Sequence, residues 1–254
     1  MNRKAIEIKN LSFTYPDQTK ALEEISLEVL EGESIGVIGP NGAGKSTLLL
    51  HLNGILRGDK HIKIFDLEIA DKTLPWVRKK VGLVFQDPDN QLFMPTVFDD
   101  VAFGPLNMGL SKDEVYKSVN QALEEVDMLN CLRRSSHHLS SGQKKRVALA
   151  TVLSMKPEIL VLDEPSSDLD PKHRRDLVNI LKGLRVTKII ASHDLDLILE
   201  VCSRVFLLDA GELVASGSVR DIFNNRPLLE KHSLGIPSAL CYPRNKSQTN
   251  AEFI

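Results

Sequence analysis

The sequence predicts an α/β fold with a largely parallel sheet, an antiparallel β-layer at the N-terminus and an inserted helical subdomain. The first observation is a series of strand-sized apolar runs at 34–39, 80–85, 158–163, 187–192 and 204–209. Helical periodicity separates most of these runs, which favours parallel strands buried on both faces. The second observation is an apolar–polar alternation in AIEIKN, ISLEVL and HIKIFD. This alternation predicts the antiparallel layer.

The helical subdomain is predicted at about 87–150, between strands of the sheet. Its clearest helix is 112–127, where Ser111 is a suitable N-cap and Glu114 completes a capping box. The apolar residues of this helix share one face, as expected for packing against a core. From Gly235 onward the chain becomes polar and loses its periodicity. We therefore expect one domain over 1–234 and a loosely held tail over 235–254.

Composition excludes several classes of protein. The chain has 254 residues and a formal net charge of -2, which does not favour a nucleic-acid partner. No apolar run approaches the ~20 residues of a membrane span, and the N-terminus lacks the apolar segment of a signal peptide. The three cysteines are scattered, which favours reduced thiols in a cytosolic protein. Any membrane role therefore requires a partner.

The segment GPNGAGKST has the pattern of a P-loop. It follows the strand SIGVI and precedes a helical pattern, which is the context that a P-loop requires. Its glycines allow backbone N–H groups to surround a phosphate, and the following helix adds a favourable dipole. Lys45 is expected to reach the β and γ phosphates, and the Ser46 hydroxyl to bind Mg²⁺. The predicted ATP-binding residues here are Gly39, Pro40, Asn41, Gly42, Ala43, Gly44, Lys45, Ser46 and Thr47.

Acidic and imidazole groups follow two other predicted strands. Asp163 ends the strand EILVLD, which places a carboxylate at the edge of the sheet where ligands of α/β folds bind. Asp163 suits a Mg²⁺ contact, and Glu164 is the candidate general base or water-orienting group. His193 follows the strand TKIIAS, where a neutral imidazole could bridge phosphate and water. A pair of solvated acids and a plain surface histidine are the alternatives.

The stretch LSSGQKKRVALA, residues 139–150, begins like a serine-capped helix with a basic first turn. An ordinary capped helix is one interpretation, but free N–H groups at its start would also favour an anion. In order along the chain, GPNGAGKST, Gln86, LSSGQ, LVLDEP, SDLD and His193 resemble the motifs of the ATP-binding-cassette (ABC) ATPases over residues 4–229. The resemblance implies a P-loop NTPase core of the RecA-like type, with 1–234 as the ATPase domain.

The resemblance also implies a dimer. In this family two cassettes pack head to tail, and each ATP lies between the P-loop of one copy and the LSSGQ segment of the other. Ser140 and Gly142 would bind the γ-phosphate across the interface, and Asp170 would communicate between the two sites. Ser141 stands where the commoner pattern has a second glycine, and its small size is expected to preserve binding. The segment expected to contact nucleotide is Leu139, Ser140, Ser141, Gly142 and Gln143.

Two further roles come from the same resemblance. Tyr15, in LSFTYPD, resembles the aromatic residue that stacks on adenine, although a strand-end tyrosine is the alternative. Gln86 resembles the glutamine that senses Mg²⁺ and the partner subunit, so it is counted with both the catalytic and the metal residues. With Glu164 and His193 both present, hydrolysis of ATP is expected.

The stretch after Gln86, QDPDNQLFMPTV, narrows the resemblance to energy-coupling-factor importers of the cobalt/nickel type. Asp87 can cap a short helix, Pro88 suits its first position, and Pro95 discourages its continuation. This short helix is expected to present Leu92 and Phe93 to an integral membrane coupling subunit that docks near 86–93. An ordinary loop with partly buried apolar residues is the alternative.

The function favoured by these observations is an ATPase subunit of a membrane importer for cobalt, nickel or a vitamin. It would lie peripherally at the cytoplasmic face of the cell membrane and serve a substrate-capture subunit indirectly. The alternatives are a cassette of another transporter class and a soluble ABC ATPase acting on chromosomes or ribosomes. The chromosome-acting form is disfavoured because no heptad array appears between the P-loop and LSSGQ. The ribosome-acting form usually carries two cassettes in one chain, and this sequence has one. A non-hydrolysing half of a heterodimer is disfavoured by Glu164.

Overall fold

Two β-sheets form the framework of the computed structural model, which describes residues 3–57 and 62–241. The strands are β1 (Lys4–Thr14), β2 (Lys20–Leu30), β3 (Ser34–Ile38), β4 (Ile62–Ile64), β5 (Leu67–Glu68), β6 (Val81–Val84), β7 (Ile159–Asp163), β8 (Thr187–Ala191), β9 (Arg204–Asp209) and β10 (Glu212–Ser218). The helices are α1 (Lys45–Leu52), α2 (Leu74–Lys80), α3 (Val97–Asn107), α4 (Lys112–Glu125), α5 (Ser141–Leu153), α6 (Pro171–Gly183), α7 (Leu195–Val201), α8 (Val219–Asn224), α9 (Arg226–Lys231) and α10 (Ser238–Cys241).

The larger sheet has the strand order β10-β9-β3-β8-β7-β6. Its strands pair in parallel from β9 through β6, and only β10 is antiparallel to its neighbour. Each of the predicted apolar runs forms one of the parallel strands, so the prediction of a largely parallel sheet is confirmed. Because the carboxyl ends of parallel strands meet at one edge, the residues after β3, β7 and β8 are brought together.

The smaller sheet is the predicted antiparallel layer, with the order β2-β1-β4-β5. It packs over α1 and one face of the larger sheet, and its buried residues share a core with them. The other face of the larger sheet is covered by helices around a second core. Each layer buries apolar side chains on the side that faces the sheet, which is the arrangement that stabilises α/β domains.

Three helices lie between β6 and β7, in the region predicted to be helical. Ser111 caps α4, and the predicted capping box with Glu114 is present. The buried face of α4 includes Val115, Val119 and Leu123, which pack in the core that covers the larger sheet. The last of these helices, α5, begins at Ser141, the second serine of LSSGQ, and carries most of its residues in the interior.

The end of the described chain is α10, whose Ala239 N–H donates to the Asp196 carboxylate. The rest of the predicted tail, 242–254, lies outside the described residues, as does His61, the first residue of the predicted strand HIKIFD. Cys131 and Cys202 are free thiols. Across 3–57 and 62–241, no helix is long and apolar enough to span a bilayer.

Candidate functional site

The loop between β3 and α1 needs glycine for two different reasons. A Cβ on Gly39 would lie 2.0 Å from the Leu208 carbonyl oxygen, and one on Gly44 would lie 2.4 Å from that of Ala21. Gly42 has open space around it, but its φ of +80° is one that other residues adopt only with strain. The loop therefore combines close backbone approach with left-handed conformations, as a phosphate-binding loop requires.

Lys45 begins α1 and folds back over this loop. Its ammonium group donates to the carbonyl oxygens of Gly39 and Pro40, at 2.8 and 3.0 Å. Burial lowers the pKa of Lys45, and the nearby carboxylates of Glu164 and Asp163 oppose that shift. The lysine thus lies between the loop and the acidic end of β7, where its ammonium group can reach a phosphate held by the loop.

Asp163 lies at the carboxyl end of β7 and is suited to hold a cation. Its Oδ1 atom is buried and has no hydrogen-bond partner within the described chain. Burial raises the pKa of Asp163, and a hydrogen bond with the Ser46 hydroxyl opposes the shift. No cluster of three His, Cys, Asp or Glu residues that could hold a metal occurs across 3–57 and 62–241. The buried, unpartnered Asp163 oxygen beside the Ser46 hydroxyl fits Mg²⁺, which keeps several waters and uses few protein ligands together with phosphate.

Glu164 and His193 form a hydrogen-bonded pair. The His193 ring nitrogen Nδ1 lies 2.7 Å from Glu164 Oε2, and the His193 backbone N–H donates to the same carboxylate. The Ser192 hydroxyl adds a third donor at 3.2 Å. Residue 164 is buried, whereas the imidazole is 66% exposed. The pair can hold a polar group or a water at the edge of the sheet, with the imidazole facing solvent.

One cleft of about 600 Å³ joins many of the predicted residues. It is lined by Tyr15, Gln86, Glu164, His193 and residues 41–47. The Tyr15 hydroxyl lies 3.1 Å from Thr47 Oγ1, which fixes the tyrosine at the rim of the loop. The sequence predictions missed three further lining residues, Thr19, Lys20 and Ala21. The signal for them was their position in the same hairpin as Tyr15.

The LSSGQ segment lies outside this cleft. Ser140 caps α5 and forms a capping box with Gln143, which confirms the predicted helix start. Gly142 lies against His173, whose ring would be 2.7 Å from an added Cβ. Asp170 caps α6, and its Oδ2 lies 2.7 Å from the ring nitrogen Nδ1 of that histidine. Within the described residues, the segment does not line the P-loop cleft of its own copy.

A second cleft of about 360 Å³ lies between the LSSGQ helix and the turn after Gln86. Leu139 and Ser141 line it from one side, and Asp87 and Asp89 line it from the other. Gln86 lines both this cleft and the larger one, so it is the residue common to the two surfaces. This position suits a residue that responds both to a ligand in the larger cleft and to a change in the cleft beside the LSSGQ helix.

The turn after Gln86 is the predicted short helix, with one correction. A 3₁₀ turn spans Pro88–Asn90, and the Asp87 side chain caps it by accepting from the Asp89 N–H. The prediction that Leu92 faces a partner is wrong, because Leu92 is only 4% exposed and packs in the core. Phe93 is 63% exposed, as predicted. The Leu92 side chain therefore faces the core and the Phe93 side chain faces solvent. The Leu92 N–H donates to the Pro88 carbonyl.

Comparison with known proteins identifies the family. The ABC transporter family matches residues 22–167. The chain belongs to the ABC transporter family. It is 50% identical over 238 residues to the energy-coupling factor transporter ATP-binding protein EcfA of Methanothermobacter thermautotrophicus, covering 91% of this chain and 76% of that protein. This ABC protein is therefore the ATPase subunit of a transporter, and it binds and hydrolyses ATP.

Solved structures agree with this assignment. The chain matches CbiO1 of Clostridium perfringens, part of the ABC transporter complex CbiONQ, with a TM-score of 0.81 and 37% identity. That match covers 95% of this chain and 97% of CbiO1. A dimeric post-hydrolysis state of the cassette MJ0796, bound to ADP and Pi, matches with a TM-score of 0.77 and 27% identity, covering 85% and 99% of the two chains. The predicted P-loop NTPase fold is confirmed.

Proposed function

We propose that this ABC ATPase energises an energy-coupling-factor importer and works as a head-to-tail dimer. The solute in this proposal is a transition-metal ion such as cobalt or nickel, or a vitamin. The chain would lie peripherally at the cytoplasmic face of the cell membrane. The likeness to EcfA and to CbiO1 supports this transporter class. The choice of solute rests on the sequence resemblance alone, and recognition of the solute belongs to other subunits.

The observation that carries the proposal is an aromatic groove beside the turn after Gln86. The groove has a volume of about 540 Å³ and lies between α2, β6, α3 and α5. The rings of Phe93 and Phe103 meet edge to face with centroids 5.1 Å apart, and the two residues are 63% and 45% exposed. Two adjacent exposed aromatic residues are typical of an anchor for a protein partner. We define the aromatic groove by Phe85, Phe93, Phe103, Met108 and Met155.

Polar and charged side chains also line the groove, which suits a helix that has both an apolar and a polar face. Arg78 and Lys79 line one part, and Gln91 and Asp100 line another. Gln91 is fixed, because its amide donates to the Ala148 carbonyl at 2.7 Å and its oxygen accepts from the Phe85 N–H. We propose that a cytoplasmic helix of the integral membrane subunit occupies this groove, next to 86–93.

At the nucleotide, we propose that Lys45 and Mg²⁺ balance the phosphate charge. Ser46, Asp163 and Gln86 would hold the metal, directly or through water, and the metal would stabilise charge on the transferring phosphoryl group. Glu164 orients the attacking water, and His193 supports it through the Nδ1 contact of 2.7 Å. Tyr15 would stack on adenine at the rim of the cleft.

The second copy completes the site in this proposal. Its Ser140 and Gly142 would contact the γ-phosphate, and Asp170 would relay the state of one site to the other. ATP binding would then close the dimer, and hydrolysis would reopen it. The helical subdomain, at about 87–150 of the 1–234 domain, would carry this motion from Gln86 to the aromatic groove. The similarity of this chain to the cassette MJ0796, whose solved structure is dimeric, supports the association of two copies.

Purification from membranes tests the proposed transporter class. The full chain, tagged and extracted in mild detergent, is expected to bring an integral membrane subunit with it. Mass spectrometry identifies that subunit, and its presence should raise ATP turnover. A chain that hydrolyses ATP but retains no membrane subunit would contradict the importer proposal while leaving the ATPase assignment intact.

A further inference from the structure

Lys145, in the second turn of α5, is a buried lysine whose donors are all used. Its ammonium group donates to the backbone carbonyls of Gln86 and Glu164, each at 3.2 Å, and to the Ser167 hydroxyl at 2.7 Å. The residue is only 8% exposed. Three protons on the ammonium meet three acceptors, and the carboxylates of Asp168, Glu164 and Asp87 also favour this buried charge. Through these hydrogen bonds Lys145 contacts Gln86 and Glu164, two residues of the proposed reaction.

The carbonyl at Glu164 is held by more than one donor. The Ser167 hydroxyl and the Ser167 backbone N–H also approach the Glu164 oxygen, at 3.0 and 3.2 Å. Lys145, Ser167 and the Glu164 carbonyl therefore form a closed set of hydrogen bonds. This set fixes the turn that follows β7.

The backbone at Glu164 needs such support. Its φ is +44°, in the left-handed region where a residue with a Cβ is strained. Strained residues of this kind persist only when their surroundings fix them, and they concentrate at functional sites. The conformation directs the carboxylate toward Ser192 and His193, which both donate to it. Release of the carbonyl would free the backbone to turn the carboxylate away.

We infer that Lys145 is a positioning residue of the ATPase: it locks the strained backbone of Glu164 and the backbone of Gln86 to one ammonium group. Through this group, the position of the water-orienting carboxylate depends on the position of the backbone at Gln86. Lys145 has no contact with nucleotide in this assignment and acts only through the other two residues. The inference rests on the proposed role of Glu164 in hydrolysis.

The neighbouring lysine extends the link toward the aromatic groove. Lys144 donates to the Asp89 carboxylate at 2.6 Å, in the turn that Asp87 caps. Lys144 and Lys145 thus attach the start of α5 to both ends of the stretch 86–89. A displacement of that stretch by a docked partner would reach Glu164 through Lys145, across contacts of 3.2 Å.

The test replaces Lys145 by methionine, which keeps the length of the side chain and removes its donors. We expect kcat to fall by roughly ten- to a hundredfold, since small misplacements of catalytic groups have effects of that size. KM for ATP and the Kd of a fluorescent ATP analogue should stay within about twofold of the parent. Lys117→Met, at an exposed lysine of α4, is the matched control and should keep parental turnover.

Ser167→Ala is the second variant, and it tests the inferred positioning role if Lys145→Met does not fold. It removes a single hydroxyl from the closed set and should lower kcat by about threefold or more, with KM unchanged. Thermal unfolding of each variant checks that the fold is retained. Parental kcat in either folded variant, or a change confined to KM, would overturn the inference.

A double-mutant cycle separates positioning from general damage. In a Glu164→Gln background, Lys145→Met should lower the residual single-turnover rate by less than about twofold, because its target is already gone. A further fall as large as in the parent would overturn the inference. If Glu164→Gln itself kept parental turnover, the proposed role of Glu164 would fail, and that result is distinct from any result at Lys145.

Discussion

Replacing Phe93 by alanine should weaken the association with the membrane subunit and leave ATP binding unchanged. Phe93 is 63% exposed and stacks edge to face on Phe103 in the aromatic groove. It lies seven residues beyond Gln86 and does not line the nucleotide cleft. The substitution therefore removes surface that a partner would cover and touches no residue of the proposed catalytic set.

The size of the effect follows from the exposed area. A phenylalanine presents roughly 200 Å² when fully exposed, so the 63% exposure of Phe93 leaves about 125 Å² to be covered by a partner. At about 25 cal/mol per Å², this area contributes about 3 kcal/mol. Ordering of the side chain offsets about 1 kcal/mol of that. The remaining ~2 kcal/mol corresponds to roughly a thirtyfold increase in Kd.

Binding of the purified variant to the reconstituted membrane subunit measures this Kd. Ile55→Ala is the control, because Ile55 is 45% exposed but does not line the groove. Leu92→Ala is the contrasting variant: Leu92 is buried, so it should lower the free energy of unfolding by about 2–5 kcal/mol. Equal Kd values for Phe93→Ala and the parent, or an equal loss in Ile55→Ala, would refute the assignment of the groove.

Three other predictions concern the nucleotide sites. Glu164→Gln should lower turnover by at least about a hundredfold, keep ATP binding and retain a dimer with ATP on a sizing column; a monomer with normal turnover would contradict it. Asp163→Asn should raise the Mg²⁺ concentration for half-maximal turnover by about tenfold or more, and an unchanged Mg²⁺ titration would contradict it. Gly142→Ala should lower turnover because its Cβ would lie 2.7 Å from the His173 ring; His173→Ala should restore part of the loss, and no restoration would place the effect elsewhere.

Much of the framework is predictable because its signals are local. The parallel strands are short apolar runs, and an apolar run buried on both faces has few alternatives once its length is that of a strand. The P-loop is equally local, since its glycines, Lys45 and Ser46 are consecutive in the chain. The antiparallel strand β10 was not predicted. Its side chains are only partly buried, so ELVASGS lacks the apolar run that marks the other strands.

The contacts that organise the site depend on strand order, which the sequence does not state. The pairing of Glu164 with His193 arises because β7 and β8 are neighbours in register, with Asp163 opposite Ala191. Lys145 was visible only as part of a basic helix start, because its acceptors lie 59, 19 and 22 residues away. At Leu92 and Phe93, two adjacent apolar residues gave no means of choosing which one faces inward.

The bonds that Lys45 makes within its own loop have a consequence for nucleotide exchange. Its ammonium group donates to the carbonyl oxygens of Gly39 and Pro40. A phosphate at this loop would compete with those oxygens for the same protons. The free energy of binding then contains the difference between two sets of hydrogen bonds and not the full value of one. Such a trade makes the release of product less costly, which suits a protein that must empty its site in every cycle.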